Sequence, residues 1–103
     1  MASVSIEVTR FIDDHFPGFV ECTLTDAEGR VSTFIEKVPV VSKEYLSAGS
    51  EFPCEGFIDC EIESEYSDSE GRLLVLIDTE RPYSIESTTG ETKFVVLASQ
   101  LTR

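Results

Sequence analysis

Carboxylates between residues 51 and 70 are the most distinctive chemical feature of the chain. This stretch contains eight acidic residues and no basic residue. At four alternating positions the acids occupy what would be one face of a β-strand, where side chains repeat every second residue: Asp59, Glu61, Glu63 and Glu65. We expect these four to share that face at a spacing of about 7 Å. Adjacent charges at that distance in water repel by only about 0.6 kcal/mol.

Three interpretations of this acidic strand remain open. A solvated outer face would keep the protein soluble and discourage pairing of strand edges. An acidic docking strip would attract a basic partner protein and increase the rate and specificity of association. In that case Phe57 and Tyr66 are the neighbouring aromatic anchors. A calcium site fits less well, because no loop has the clustered ligand spacing of an EF-hand.

A second cluster, Asp13-Asp14-His15, is the one place where a histidine adjoins carboxylates. His15 is the sole histidine, so one chain cannot build a metal site from several histidines. The triplet is typical of a turn whose side chains hydrogen-bond locally. The alternative is a small-molecule-binding or enzymatic site at one barrel mouth, formed by residues 13–18 and 86–92. That site requires both loops to lie at the same end of the fold.

The three cysteines do not indicate a secreted disulfide framework, because their number is odd. Cys22 and Cys60 fall on apolar strand faces, where we expect small buried hydrophobic side chains. A disulfide between them would need Cα atoms within about 7 Å. Cys54 is the thiol expected to be exposed, and no basic neighbour lowers its pKa.

Charge and composition restrict the class of partner. The chain of 103 residues has 20 acidic and 8 basic residues, a formal net charge of −12. Such a field repels nucleic acids and anionic membranes, which bind clusters of Lys and Arg. The chain has no apolar run long enough to span a bilayer, and its first residues have neither the basic nor the apolar region of a leader sequence, so we expect a cytoplasmic protein. It also lacks glycine-rich nucleotide loops and Cys-x-x-Cys pairs, so we expect no cofactor and no metal.

Hydrophobic alternation predicts strands along most of the chain. We expect them at residues 4–12, 19–26, 31–41, 56–66, 73–79 and 92–98. A short helix is predicted at residues 42–49, between a Ser able to cap it and a Gly able to end it. A further short strand is predicted at residues 83–86.

A repeated pattern indicates how these strands assemble. The pair Phe16-Pro17 returns as Phe52-Pro53, and each copy continues to a Glu-Gly-Arg turn. We predict one all-β domain, residues 1–103, with almost no helix. Its fold would be a small antiparallel β-barrel of about six strands, built from two similar hairpins by pseudo-twofold duplication. The repeated halves are approximately residues 16–42 and 52–84. At the level of fold, the pattern resembles the small β-barrels of translation-factor accessory domains, a resemblance that carries no functional residue.

The leading functional hypothesis is a non-enzymatic binding or regulatory protein that docks a basic partner protein. The contact would be made by the carboxylate-rich strand face. The barrel-mouth site described above is the alternative. A third hypothesis is a structural homo-oligomer joined by strand edges, since the sequence does not determine the oligomeric state.

Overall fold

Antiparallel β-strands make up most of the protein. The structure, a computed structural model, describes residues 1–103. The main strands form one sheet in the order β3-β2-β1-β4-β5-β6, and β7 pairs with β1. This confirms the predicted all-β antiparallel fold with almost no helix. The elements are β1 (Ala2–Asp13), β2 (Phe19–Thr25), β3 (Val31–Lys37), α1 (Val38–Val41), β4 (Cys54–Ser67), β5 (Leu73–Asp78), β6 (Lys93–Leu97), a 3-10 turn (Ala98–Gln100) and β7 (Leu101–Thr102).

The sheet curls into a half-barrel. The long strand β4 joins its two sides, because its first half pairs with β1 and its second half pairs with β5. The outer strands β3 and β6 are linked through neighbouring loops. The Thr88 N–H donates to the Thr33 carbonyl at 2.8 Å, and the Ala27 N–H donates to the Val95 carbonyl at 2.9 Å. No helix is long and apolar enough to cross a membrane.

A single apolar core lies on the concave face of the sheet. It contains 17 buried residues contributed by every main strand and by the loops on either side. The inward faces expected from alternation on β1 and β2 are confirmed, since the six apolar residues at the inward positions are buried: Val4, Ile6, Val8, Val20, Cys22 and Leu24. Period-2 patterning therefore determines which face of these strands packs inward.

The connection from β3 to β4 crosses the inner face of β4. Val41 is fully buried, and a Cβ added at Gly56 would lie 2.6 Å from the Val41 carbonyl oxygen. The same Cβ would lie 2.8 Å from Cγ2 of Val8. Only glycine leaves room for this close approach of backbone to backbone.

The helix predicted at residues 42–49 is wrong, and so is the extension of the third strand to residue 41. The strand ends at Lys37, because Pro39 cannot donate a ladder hydrogen bond and is instead accommodated in the first positions of the single helical turn α1, which begins at Val38. Residues 42–49 instead form irregular turns. The Ser47 hydroxyl accepts from the Gly49 N–H, and such local bonds compete with helix formation. No strand forms at residues 83–86.

The two predicted repeats each contain a hairpin, and their turns have the same hydrogen bonds. The carboxylates of Asp26 and Asp68 each accept two backbone N–H groups, from the second and fourth residues that follow. Ser87 accepts the same two bonds in a third turn, which lies outside the repeated pattern. Local turn chemistry alone accounts for this similarity. The duplication itself therefore stays a prediction.

Candidate functional site

The four carboxylates predicted to share one face of β4 do not all do so. Ile58 and Cys60 point into the core, so Asp59 and Glu61 point outward. The register with β5 shifts by one residue between Ile62 and Ser64, as in a β-bulge. Beyond the bulge Glu65 lies opposite Val75, a core residue, and therefore on the other face. The prediction of one shared face is wrong, because an extra residue inverts the alternation.

Basic residues from distant parts of the chain pair with the carboxylates in the second half of β4. Glu61 lies 3.7 Å from Arg81, and Glu63 lies 2.9 Å from Lys93. Glu65 forms a salt bridge with Arg103, whose Nη1 donates to Oε2 at 3.2 Å. That hydrogen bond lowers the pKa of Glu65. The charge that looks uncompensated along the sequence is thus compensated here by the fold.

The first half of β4 differs, because its carboxylates have no basic partner. Glu55 lies directly opposite Glu7 of β1, and Asp59 lies opposite Ser3. None of these three carboxylates forms a salt bridge. Cβ atoms of directly opposite residues are about 5 Å apart, and like charges at such positions are destabilising. We call Glu7, Glu55, Asp59 and the intervening Phe57 the β1–β4 acidic face.

An open groove runs beside the β1–β4 acidic face. Its volume is about 750 Å³, and Glu55, Phe57 and Asp59 line it together with Glu44 from the β3–β4 connection. Lys43 and Arg103 also border the groove, although Arg103 is already paired with Glu65. Half-buried Phe57 lies opposite Ser5 and offers an apolar surface between the carboxylates.

The two predicted aromatic anchors do not lie together. Phe57 pairs with β1, whereas Tyr66 lies beyond the bulge, opposite Leu74 of β5. Nine residues of extended chain separate them, which corresponds to about 30 Å. Tyr66 is 44% exposed. A partner that contacts Phe57 therefore reaches Tyr66 only if it spans most of the strand.

Asp13, Asp14 and His15 form a surface turn, and one ligand atom from each lies within 4.8 Å of the others. Oδ1 of Asp13 accepts the His15 N–H at 2.8 Å and lies 2.6 Å from Nδ1 of the ring. This hydrogen bond to Asp13 raises the pKa of His15. A cation held here would take most of its ligands from water, since one turn supplies all three protein atoms.

The alternative site required residues 13–18 and 86–92 to share one mouth, and this arrangement is wrong. The 86–92 loop is attached to the far end of the β2–β3 hairpin, where Glu91 lies 2.6 Å from Arg30. Residues 13–18 lie at the other end of the hairpin, where the Gly18 carbonyl accepts the Val38 N–H at 2.9 Å. Thr33, which bonds Thr88 of one loop, and Val38, which bonds Gly18 of the other, are five residues apart, which corresponds to about 16 Å. Residues 13–18 instead border a groove with residues 42–49.

The cysteines are free and offer no reactive thiol. Burial raises the pKa of Cys22 to about 12 and that of Cys60 to about 11. These two residues lie opposite Val8 and Ala2 of β1, six residues apart, which corresponds to about 20 Å. That separation excludes a disulfide. Cys54 is half-buried, and its pKa is also raised by burial.

Searches of family models, curated proteins and solved structures find no match to this chain. The site must therefore be argued from its own residues. Sequence reasoning missed Glu7 and Glu55. Glu7 lies at an outward position of the predicted strand at residues 4–12, and Glu55 lies one residue before the predicted strand at residues 56–66. Their significance depends on the pairing of β1 with β4, which are distant in sequence.

Proposed function

We propose that this protein is a non-enzymatic docking protein that binds a basic partner protein through the β1–β4 acidic face. The observation that carries the proposal is the direct cross-strand opposition of Glu7 and Glu55, neither of which forms a salt bridge. Like charges at opposing strand positions cost stability. This repulsion is present in the free protein. A cationic partner replaces it with attraction, so relief of the repulsion adds to the binding free energy.

The distribution of basic residues supports this choice of surface. Lys43 and Lys37 are the two basic residues outside salt bridges, while the other six neutralise carboxylates elsewhere. The acidic face is thus uncompensated in a chain that pairs most of its cations. The net charge of −12 adds a long-range field, which steers a basic protein towards the molecule and increases its association rate.

Phe57 adds an apolar contact surface to the β1–β4 acidic face. Its ring lies between the Glu55 and Asp59 positions along the outer side of β4. Aromatic residues enclosed by polar contacts are common centres of binding energy in protein interfaces. In this proposal the carboxylates orient the partner and Phe57 contributes apolar contact. Glu61, Glu63 and Glu65 contribute less, because their charges are already paired and contact with them requires displacement of Arg81, Lys93 or Arg103.

The test is affinity capture from a lysate of the source organism with three baits of matched design. The first is the native protein. The other two are variants that each lose three negative charges. The face variant loses them from the acidic face, and the control variant loses them from the paired half of β4. The face variant carries Glu7→Gln, Glu55→Gln and Asp59→Asn, and the control variant carries Glu61→Gln, Glu63→Gln and Glu65→Gln.

We expect a basic protein that the native and control baits retain and the face variant loses, and that elutes as salt rises. Equal loss from both variants would show that only total charge matters and would contradict the assignment of this face. Equal retention by all three baits would contradict an electrostatic mode of docking.

A further inference from the structure

A second groove lies at the end of the half-barrel where residues 13–18 meet residues 42–49. Its volume is about 650 Å³. Apolar side chains of the β-sheet and the adjoining connection form its inner part, notably Phe11, Val38 and Leu46. Phe16 and Tyr45 stand on its two borders. We call this feature the aromatic groove.

The two bordering aromatic side chains are unusually exposed. Phe16 is 97% exposed and Tyr45 is 88% exposed. A single exposed apolar residue is ordinary, but large apolar side chains grouped around a concavity mark binding sites. Neither ring is needed to cover the core, since both lie almost wholly in solvent.

The loop that carries Phe16 is held in one conformation by its own backbone. Gly18 has a φ of 91°, which favours glycine, and its N–H donates to the His15 carbonyl at 2.6 Å. The Gly18 carbonyl accepts the Val38 N–H at 2.9 Å. A Cβ at position 18 would lie 3.3 Å from both Phe11 and Val38. The loop is therefore fixed against the floor of the aromatic groove.

The opposite border is also hydrogen-bonded internally. The Ser42 hydroxyl accepts the Glu44 N–H at 3.0 Å, just before Tyr45. The Ser50 hydroxyl accepts the Ser47 N–H at 2.9 Å, just after it. Turns on both sides thus hold the segment that presents Tyr45. A groove formed before binding requires little ordering of the protein when a partner enters.

The charge of the lining of the aromatic groove and its position next to the other groove indicate what kind of ligand binds there. Asp14 and Glu44 line the aromatic groove with one basic residue, Lys43, so its lining is net acidic. Residues 42–44 and Leu46 also line the groove beside the β1–β4 acidic face. The two grooves are therefore separated only by this one segment, and a single extended polypeptide can lie across both.

We propose that the aromatic groove receives an apolar side chain from a Lys- or Arg-rich segment of the partner that docks on the β1–β4 acidic face. This inference rests on the proposed function and adds a second, apolar subsite to it. The carboxylates of the acidic face and of Asp14 and Glu44 attract the basic side chains. Phe16 and Tyr45 then enclose the apolar one, and burial of that side chain contributes affinity that charge alone does not.

The test uses NMR titration of the labelled protein with the capped pentapeptide Lys-Lys-Phe-Lys-Lys. We expect shifts at the amides of Gly18 and Gly49, which line the groove, and about tenfold weaker binding to Phe16→Ser/Tyr45→Ser. Tyr83→Ser is the control, because Tyr83 is 61% exposed and lies outside the groove. All three side chains are exposed, so these variants should fold normally.

Peptide variants separate this inference from the proposed function. Replacing the peptide's Phe by Ala should abolish the shifts at the aromatic groove and leave those at the acidic face. Shifts at the acidic face with none at the groove would overturn the apolar subsite alone. Equal binding of Glu-Glu-Phe-Glu-Glu would overturn the basic segment as occupant. Concentration-dependent shifts at the groove without peptide would assign it to a second copy of this chain and would also overturn the inference.

Discussion

The two halves of β4 carry similar densities of carboxylates, but only those of the second half are paired with basic residues. In the first half, Glu55 lies opposite Glu7, and neither residue forms a salt bridge. In the second half, Glu63 and Glu65 each form a salt bridge with a basic residue from a distant part of the chain. The surrounding segments decide the difference, since β1 supplies another acid to the first half, whereas β6 and the C-terminus supply cations to the second half.

This comparison shows that the acidity of a sequence segment is a poor measure of the acidity of a surface. Exposed salt bridges contribute little stability, but they remove charge from the field that a partner senses. The uncompensated half is then the better candidate for docking. Variants that remove or increase this difference between the two halves test whether it is real.

The largest expected effect comes from Gly56, which lies in the uncompensated half. The change Gly56→Ala would place a Cβ 2.6 Å from the Val41 carbonyl oxygen and force the crossing segment away from β4. We expect a loss of about 3 kcal/mol in the free energy of unfolding, as in an overpacked core. Urea denaturation measures it. Gly49→Ala is the control, because the nearest atom to its Cβ would lie 3.9 Å away. Equal stability of the two variants would contradict the close packing described here.

A smaller effect is expected at the end of the compensated half, where Arg72 joins two hairpin turns. Its guanidinium donates to Asp68 at 2.7 Å and to the Ala27 carbonyl at 3.0 Å. The hydrogen bond from Arg72 holds the pKa of Asp68 below its usual value of 3.8. Stability from this lowered pKa is present above the unfolded value and is lost as pH falls through the folded value.

We therefore expect Arg72→Gln to be less stable than the native protein at neutral pH, with a difference that shrinks as pH falls below about 4. Thermal unfolding over a pH series measures the difference. Lys43→Gln is the control, because it also removes one positive charge and Lys43 is exposed and outside every salt bridge. A difference for Arg72→Gln that is constant with pH would show that its bond to Asp68 contributes nothing.

The smallest expected change in the free energy of unfolding comes from Glu→Lys substitutions, and it should have opposite signs in the two halves of β4. Glu55→Lys turns the like-charge pair with Glu7 into an opposite-charge pair, so we expect a gain of about 0.5 kcal/mol. Glu63→Lys breaks the salt bridge to Lys93 and should destabilise the protein. Salt should reduce both changes. Destabilisation by Glu55→Lys, measured in the same denaturation experiment, would contradict the repulsion inferred at this position.

The parts of this fold that sequence predicted are those determined locally. The alternation of Val4, Ile6 and Val8 gave the inward face of β1, and the glycines at positions 29 and 71 gave the hairpin turns, where their φ angles are 84° and 79°. These features depend on residues that are neighbours in the chain. The general antiparallel β class follows from them.

The features that sequence did not predict depend on contacts between distant segments. The bulge at Glu63 is visible only in the register with β5, and it moved Glu65 to the other face. The pairing of Glu7 with Glu55 likewise requires β1 to lie beside β4. Alternation on one strand contains no information about its neighbour, so the sequence placed all four carboxylates on one face and did not include Glu7 and Glu55 in the candidate site.

The most direct test measures the affinity of the captured partner, once purified, against salt concentration for the native, face and control proteins. We expect the face variant to lose at least about tenfold in affinity at low salt and to have a weaker salt dependence, because direct charge contacts are gone. The control variant should lose much less, although its net charge is the same. Equal losses, or a larger loss in the control variant, would contradict docking through the β1–β4 acidic face.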